Sequence, residues 1–160
     1  MSRVYIGVGS NIDPELNIPS ALKMLGETVR IVAISTFYKT PPIGSPNSPE
    51  FYNGVVAVDT DIPPRELKSK VLRQVEESLG RVRCKDKNAS RTIDLDILLY
   101  DDTAINEPDL VIPDPDIATR AFLTVPLMEL CPDMALPDLS TDSMIALDQF
   151  THKLQLELDK

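Results

Sequence analysis

The sequence predicts an α+β fold: an antiparallel sheet in the ferredoxin-like order β-α-β-β-α-β, with helices added at the C-terminal end. Three observations carry this expectation. Short β-branched runs fill roughly the first hundred residues, broken by two segments of helical period. Those two helical segments take the second and fifth places in the series. From residue 119 onward the chain reads as helix and Pro-rich turn. The order by itself says nothing about function.

VYIGVGS (4–10) reads as the first strand, ending in a Gly-Ser-Asn turn. In NIPSALKMLGE (17–27), Ile18, Ala21, Leu22 and Leu25 recur at helical spacing. VRIVAISTFYKT (29–40) is β-branched and alternating, a second strand. PPIGSPNSPE (41–50) holds four prolines and one glycine, which suits a long, stiff loop. FYNGVVAVDTD (51–61) is the third strand. PPRELKSKVLRQVEESLGR (63–81) is the clearest helix. Proline stands at its start, Leu67, Val71, Leu72, Val75 and Leu79 form a stripe, and Gly80 marks its stop. A polar loop, RVRCKDKNAS (81–90), leads to the fourth strand, TIDLDILLYDD (92–102). DLVIPDPD (109–116) is a short extended piece closing in a Pro-rich turn. TRAFLTVPLMELCP (119–132) looks helical, with Pro126 kinking or dividing it. SMIALDQFTHKLQLEL (143–158) is a final amphipathic helix.

A chain of 160 residues suits one domain, 1–160, with a core that needs no disulfide. No apolar run reaches the length of a membrane span, and MSRVYIGVGSN enters a strand pattern without a secretory signal. Cys84 and Cys131 have neither metal nor redox spacing, so free thiols in the cytoplasm are expected. The net charge of −9 disfavours nucleic acid and anionic membranes as partners. A small polyanion stays open, given a local basic patch and a metal ion.

Asp94 and Asp96 stand at i and i+2 of the fourth strand and so share a face, with Ile93, Leu95 and Ile97 on the other. Strand rise sets the two carboxylates roughly 6–7 Å apart. Near an effective dielectric of 20 they repel by roughly 2–3 kcal/mol. Solvent or an arginine relieves that repulsion in a purely structural role, and Mg²⁺ turns it into attraction. The neighbourhood favours the ion. Arg81, Arg83, Lys85, Lys87 and Arg91 face one acid, Asp86, over eleven positions, and arginines pair bidentately with phosphate. The plain alternative is a solvated basic loop after a helix C-terminus.

Other signals are weaker. Gly7 and Gly9 in GVGSN resemble part of a phosphate loop, but neither full glycine motif is present, and a tight turn after a strand explains them as well. Phe51 and Phe122 offer faces for a flat heterocycle, and Asn53 offers a donor and an acceptor for its edge. Taken alone, each is more often a core residue. The lone histidine, His152, is far from these motifs, which excludes a histidine triad or a histidine-rich metal site.

On these residues the chain resembles the 6-hydroxymethyl-7,8-dihydropterin pyrophosphokinase family of the folate pathway. The signature is SRTIDLDIL (90–98). GSN (9–11), FYKTPPIG (37–44), FYNGVVAV (51–58), GRVR (80–83) and TRAFLTVPL (119–127) fit in the same order, to about residue 140. The resemblance implies transfer of the diphosphate of ATP to the pterin hydroxymethyl group, with AMP leaving. It implies two Mg²⁺ ions on Asp94 and Asp96, with Arg81, Arg83 and Arg91 in a loop that closes over the triphosphate. Glu76, Ile97, Asp114 and Arg120 fall with the nucleotide. Thr40, Pro42, Ile43, Gly44, Phe51, Asn53, Phe122 and again Asp94 fall with the pterin; Phe51 and Phe122 sandwich the ring. Arg81, Arg91, Asp94 and Asp96 are the catalytic set. The implied partners are these small molecules, not nucleic acid or membrane. Three positions depart from the family habit: Asn88 stands for tryptophan, Asp114 for histidine and Phe51 for tyrosine.

Two other classes compete. A nucleotidyltransferase also combines Gly-Ser with Asp-x-Asp, but there the Gly-Ser lies just before the acids, whereas Ser10 and Asp94 are 84 positions apart. A non-catalytic ferredoxin-like module, sensing a ligand or binding RNA, needs neither the acid pair nor the arginine run, and RNA wants a positive face.

Overall fold

The computed structural model describes residues 1–41, 49–81, 90–133, 141 and 143–158. Five strands and three helical runs position the site. They are β1 (Ser2–Ser10), α1 (Pro14–Gly26), β2 (Arg30–Ile34), β3 (Tyr38–Thr40) and β4 (Phe51–Thr60). A helical rod over 64–78 comes next, made of α2 (Pro64–Glu66), a π-helical turn (Leu67–Leu72) and α3 (Arg73–Ser78). β5 (Asp94–Tyr100) and, later, α4 (Ala121–Leu130) complete the set. The architecture is α+β. The sheet runs β5-β1-β4-β3, with β2 also paired to β4, and every pairing is antiparallel.

Alternation decides the two faces. Val4, Ile6 and Val8 of the central strand β1 are buried against Ile18, Ala21, Leu22 and Leu25 of α1 and Leu67, Leu72 and Val75 of the rod. On the opposite face β1 presents Tyr5, Gly7 and Gly9. There α4 covers one end, where Leu127 packs with Val55, Leu98 and Ile117. α1 and the rod thus back one face of the sheet. The other face is shared between α4 and the site.

Several expected elements differ in detail. The strand read over 29–40 breaks at Ser35–Phe37. Ser35 N donates to Val55 O (2.9 Å) and Val55 N donates to Ser35 Oγ (2.8 Å), while Phe37 N donates to Thr151 Oγ1 (2.8 Å). Those bonds lead out of a regular ladder, so the strand ends. Phe37 turns fully inward over Gly54, where a Cβ would lie 2.6 Å from its ring. The helix read over 63–81 spans 64–78 and carries a π-turn, Arg73 N reaching Lys68 O. α1 starts at Pro14, earlier than its apolar stripe, because proline is pre-shaped for a first helical turn.

The piece over 109–116 splits. β6 (Ile105–Glu107) and β7 (Leu110–Ile112) pair as a separate hairpin, and a 3₁₀ turn, Pro115–Ala118, follows. Pro126 does not divide α4. The last helix, α5, runs only over Asp148–Leu158; ahead of it Ile145–Ala146 forms a short strand, β8, on the edge of β3. Among the described residues no helix is long and apolar enough to cross a membrane.

Candidate active site

Gly80 explains how Arg81 arrives. It adopts φ 80, and Arg81 N donates to Glu76 O (3.1 Å) while Gly80 N donates to Glu77 O (3.0 Å). This pairing closes a helix through a left-handed glycine and turns the next residue back along it. The Arg81 guanidinium therefore lies over Glu76 and pairs with it, and its Nη1 also donates to Asp94 Oδ1 (3.0 Å). Arg91 Nη1 donates to the second oxygen, Asp94 Oδ2 (3.0 Å). Glu76 is itself buried and accepts from Leu95 N (3.0 Å), which ties the rod to the acid-bearing strand. Four sequence-predicted residues, Glu76, Arg81, Arg91 and Asp94, thus form one connected charged cluster.

Asp96 differs from Asp94. It is open to solvent, yet it lies in a concave cleft with protein on most sides. That crowding pushes its carboxyl well above the usual carboxylate range. The charges of Asp94, Asp114 and Glu76 push it the same way, and Arg81 opposes them. The cleft holds about 420 Å³ and brings Asp96, Ile97 and Asp114 together with Lys68. Asp114 Oδ1 accepts from Asp116 N (2.9 Å) and caps the 3₁₀ turn. Burial raises its carboxyl above the ordinary value, with Asp116 and Asp94 adding and the Asp116 N–H opposing.

The other half of the site lies across β1. Asn53 is buried, and its Nδ2 donates to Thr40 Oγ1 (2.9 Å). In the sheet register Gly9 pairs with Asn53 on one side and Asp94 on the other; Gly7 pairs with Val55 and Asp96. Paired residues point to one face, so the two glycines bring no side chain of their own between β5 and β4; Leu123 and Leu98 lie over Gly7, and the Asn53 side chain lies over Gly9. A Cβ on Gly9 would lie 2.7 Å from Asn53 Oδ1. Phe51 stands half-buried at the start of β4, and Phe122 and Arg120 at the N-terminal end of α4. Pro42, Ile43, Gly44, Arg83 and Asn88 lie outside the described residues.

Asn11 was not picked out as a site residue. It is buried, and it joins three segments. Arg91 N donates to Asn11 Oδ1 (2.7 Å), Asn11 N donates to Arg91 O (3.2 Å), and its Nδ2 donates to Ser90 Oγ and Pro49 O (both 3.2 Å). The signals were the Asn closing GVGSN and the two glycines at i and i+2 of a strand, a spacing that puts both on one face. Thr92 Oγ1, two positions before Asp94, is buried without a hydrogen-bond partner among the described residues. Such a hydroxyl costs free energy until something satisfies it.

Comparison with known proteins identifies the family. A family model described as 7,8-dihydro-6-hydroxymethylpterin-pyrophosphokinase matches residues 5–132. A 2-amino-4-hydroxy-6-hydroxymethyldihydropteridine pyrophosphokinase of Pseudomonas aeruginosa is 41% identical over 142 residues, 86% of each chain. The protein of the same name from Haemophilus influenzae is 34% identical over 157 residues, 96% of this chain and 97% of that one. A folic acid synthesis protein of Pneumocystis carinii is 35% identical over 136 residues, 84% of this chain but 18% of the relative. The match covers residues 5–132, and the chain belongs to the 7,8-dihydro-6-hydroxymethylpterin-pyrophosphokinase family.

Proposed function

We infer that the chain transfers the diphosphate of ATP to the hydroxymethyl group of 6-hydroxymethyl-7,8-dihydropterin, giving AMP and the pterin diphosphate, a step of folate biosynthesis. The observation that carries this reading is the register at Gly9, which sets the acid and arginine cluster of Asp94 on one side and the buried Asn53 amide on the other. The pterin hydroxyl oxygen attacks the β-phosphorus. The bond from that phosphorus to the oxygen shared with AMP breaks, and the hydroxyl proton is released. Such a transfer is mostly positioning and charge neutralisation.

Asp94 and Asp96 fit Mg²⁺. They are hard oxygen donors on one face, and the crowding of acids that raises the Asp96 carboxyl is a repulsion that a cation relieves. Among the described residues no third ligating side chain joins them, which suits ions completed by phosphate oxygens and water, two in this reading. When bound, magnesium supplies charge neutralisation at the phosphates and orientation of the attacking hydroxyl. Arg81 and Arg91 hold both oxygens of Asp94 in this arrangement, and we assign them, with Arg83, to the phosphates when ATP arrives. Exchange of a carboxylate for a phosphate keeps each guanidinium paired. Glu76 keeps Arg81 aimed. Ile97, Asp114 and Arg120 take the nucleotide; Ile97 and Asp114 line a cleft within the usual range of small-molecule pockets, about 300–1,000 Å³. Thr40, Pro42, Ile43, Gly44, Asn53, Phe51 and Phe122 take the pterin.

The strand order β5-β1-β4-β3 and the helices backing one face support a ferredoxin-like reading of a single domain over 1–160. The free thiol of Cys131 supports a cytoplasmic site of action with small molecules as the partners. The deciding experiment is product analysis with ATP, Mg²⁺ and the reduced pterin. AMP is expected; ADP would indicate an ordinary kinase, pyrophosphate a nucleotidyltransferase, and intact pterin binding without turnover a sensor.

Asp114 gives a sharper check. An acid in the nucleotide cleft repels phosphate. Asp114→His is expected to tighten ATP binding about fivefold at fixed magnesium, the size of one weakly screened charge contact. Isothermal titration reads this directly, and weaker binding would remove Asp114 from the nucleotide.

A further inference from the structure

α4 carries Phe122 in its first turn and Glu129 in its last. Both Glu129 oxygens are engaged. Oε2 accepts from Thr36 N (2.7 Å) and Oε1 accepts from the Tyr38 hydroxyl (2.8 Å). Thr36 lies in the break between β2 and β3, and Tyr38 opens β3. Among the described residues, the side-chain hydrogen bonds that reach from α4 to the sheet are these two; Thr124 Oγ1 turns instead to Ile117 O and Arg120 O. Two residues past Tyr38 is Thr40, which holds the Asn53 amide, and in the ladder Tyr38 pairs with Asn53 and Thr40 with Phe51. Burial, with the Glu129 carboxylate beside it, pushes the Tyr38 hydroxyl up to about 12, so it remains a donor throughout the working range.

We propose that Glu129 is a positioning residue for the pterin site: by joining α4 to β3 it fixes the wall carrying Phe122 against the strands carrying Thr40, Phe51 and Asn53. This rests on the pterin reading above. Apolar packing alone holds α4 to Val55 and Leu98, and packing fixes distance better than it fixes sliding along the sheet. Two charge-assisted bonds at one end set that remaining freedom. A shift of about 1 Å in a positioning element costs up to about a hundredfold in rate.

Glu129 is exposed, so its replacement leaves the core unchanged. Glu129→Ala is expected to raise the KM for the pterin about tenfold and leave the KM for ATP within about twofold. Glu129→Gln is expected to restore most of that, since its carbonyl can accept from Thr36 N while its amide donates to the Tyr38 oxygen. An unchanged pterin KM in Glu129→Ala, or equal rises for both substrates, overturns the proposal. Asn53→Ala in the same assay separates the two levels. If it raises the pterin KM while Glu129→Ala does not, only the Glu129 role fails. If it does not, the site assignment fails and the proposal with it.

Discussion

Asp96→Ala is expected to lower AMP formation by about a thousandfold or more, with a melting temperature no lower than that of the parent. The two halves of that result have one cause. Asp96 is crowded by protein and by the charges of Asp94, Asp114 and Glu76, so its ionised form is disfavoured in the folded state. Removing the carboxylate removes that repulsion. Asp94 cannot separate the two effects, because its oxygens accept from Arg81 and Arg91 and its loss takes a partner from each. The sign of the pH dependence follows. Asp96 titrates near 3.8 in the unfolded chain and well above that when folded. Between the two values the folded state holds the extra proton. The stability this gives is complete below 3.8 and is lost as pH rises through the folded value. In Asp96→Asn that decline is expected to disappear from denaturation midpoints measured across the acid range. Full activity in Asp96→Ala would take the metal role away from it.

Much of the sheet was legible because alternation is a local signal. Val4, Ile6 and Val8 alternate with small or polar residues, and Leu95 and Ile97 with the acids, and each set lies on the face that parity assigns. The break at Ser35–Phe37 was not legible, since VRIVAISTFYKT alternates through it. What ends the strand is a set of partners distant in sequence: Val55, Glu129 and Thr151. The start of α5 and its preceding strand were missed for a similar reason: Ile145–Ala146 takes its backbone partners from β3. At the site, the residue types near Asp94 announced charge chemistry, and the arginines are there. Their present partner, Asp94 itself, could not be read from spacing, because it depends on the glycine-closed end of α3 turning Arg81 back. The places of Gly7 and Gly9 were hidden by their resemblance to a turn; they lie inside β1, where Leu123, Leu98 and Asn53 crowd the space a side chain would need.

Gly9→Ala tests that last point and is expected to raise the KM for the pterin by tenfold to about a hundredfold, with ATP affinity changed less than about twofold. The new methyl group would sit 2.7 Å from Asn53 Oδ1, closer than carbon and oxygen tolerate. Asn53 has two ways to yield. If its amide rotates, Nδ2 leaves Thr40 Oγ1 in a buried place, and an unsatisfied buried group costs about 1–3 kcal/mol. If the strand bends instead, the Gly9 pairing with Asp94 opens, and the loss reaches the phosphate side as well. The first route is the cheaper, because β1 is central and bonded on both sides along its length. It predicts a selective pterin defect and a melting temperature lower by about 2–4 °C for each kcal/mol lost. Gly7→Ala is the matched control. A Cβ there meets the ends of Leu123 and Leu98 at 3.2 and 3.4 Å, apolar groups that can move by tenths of an ångström. If Gly9→Ala binds the pterin as the parent does, the Asn53 amide does not read that ligand, and the missing side chain at Gly9 serves packing only.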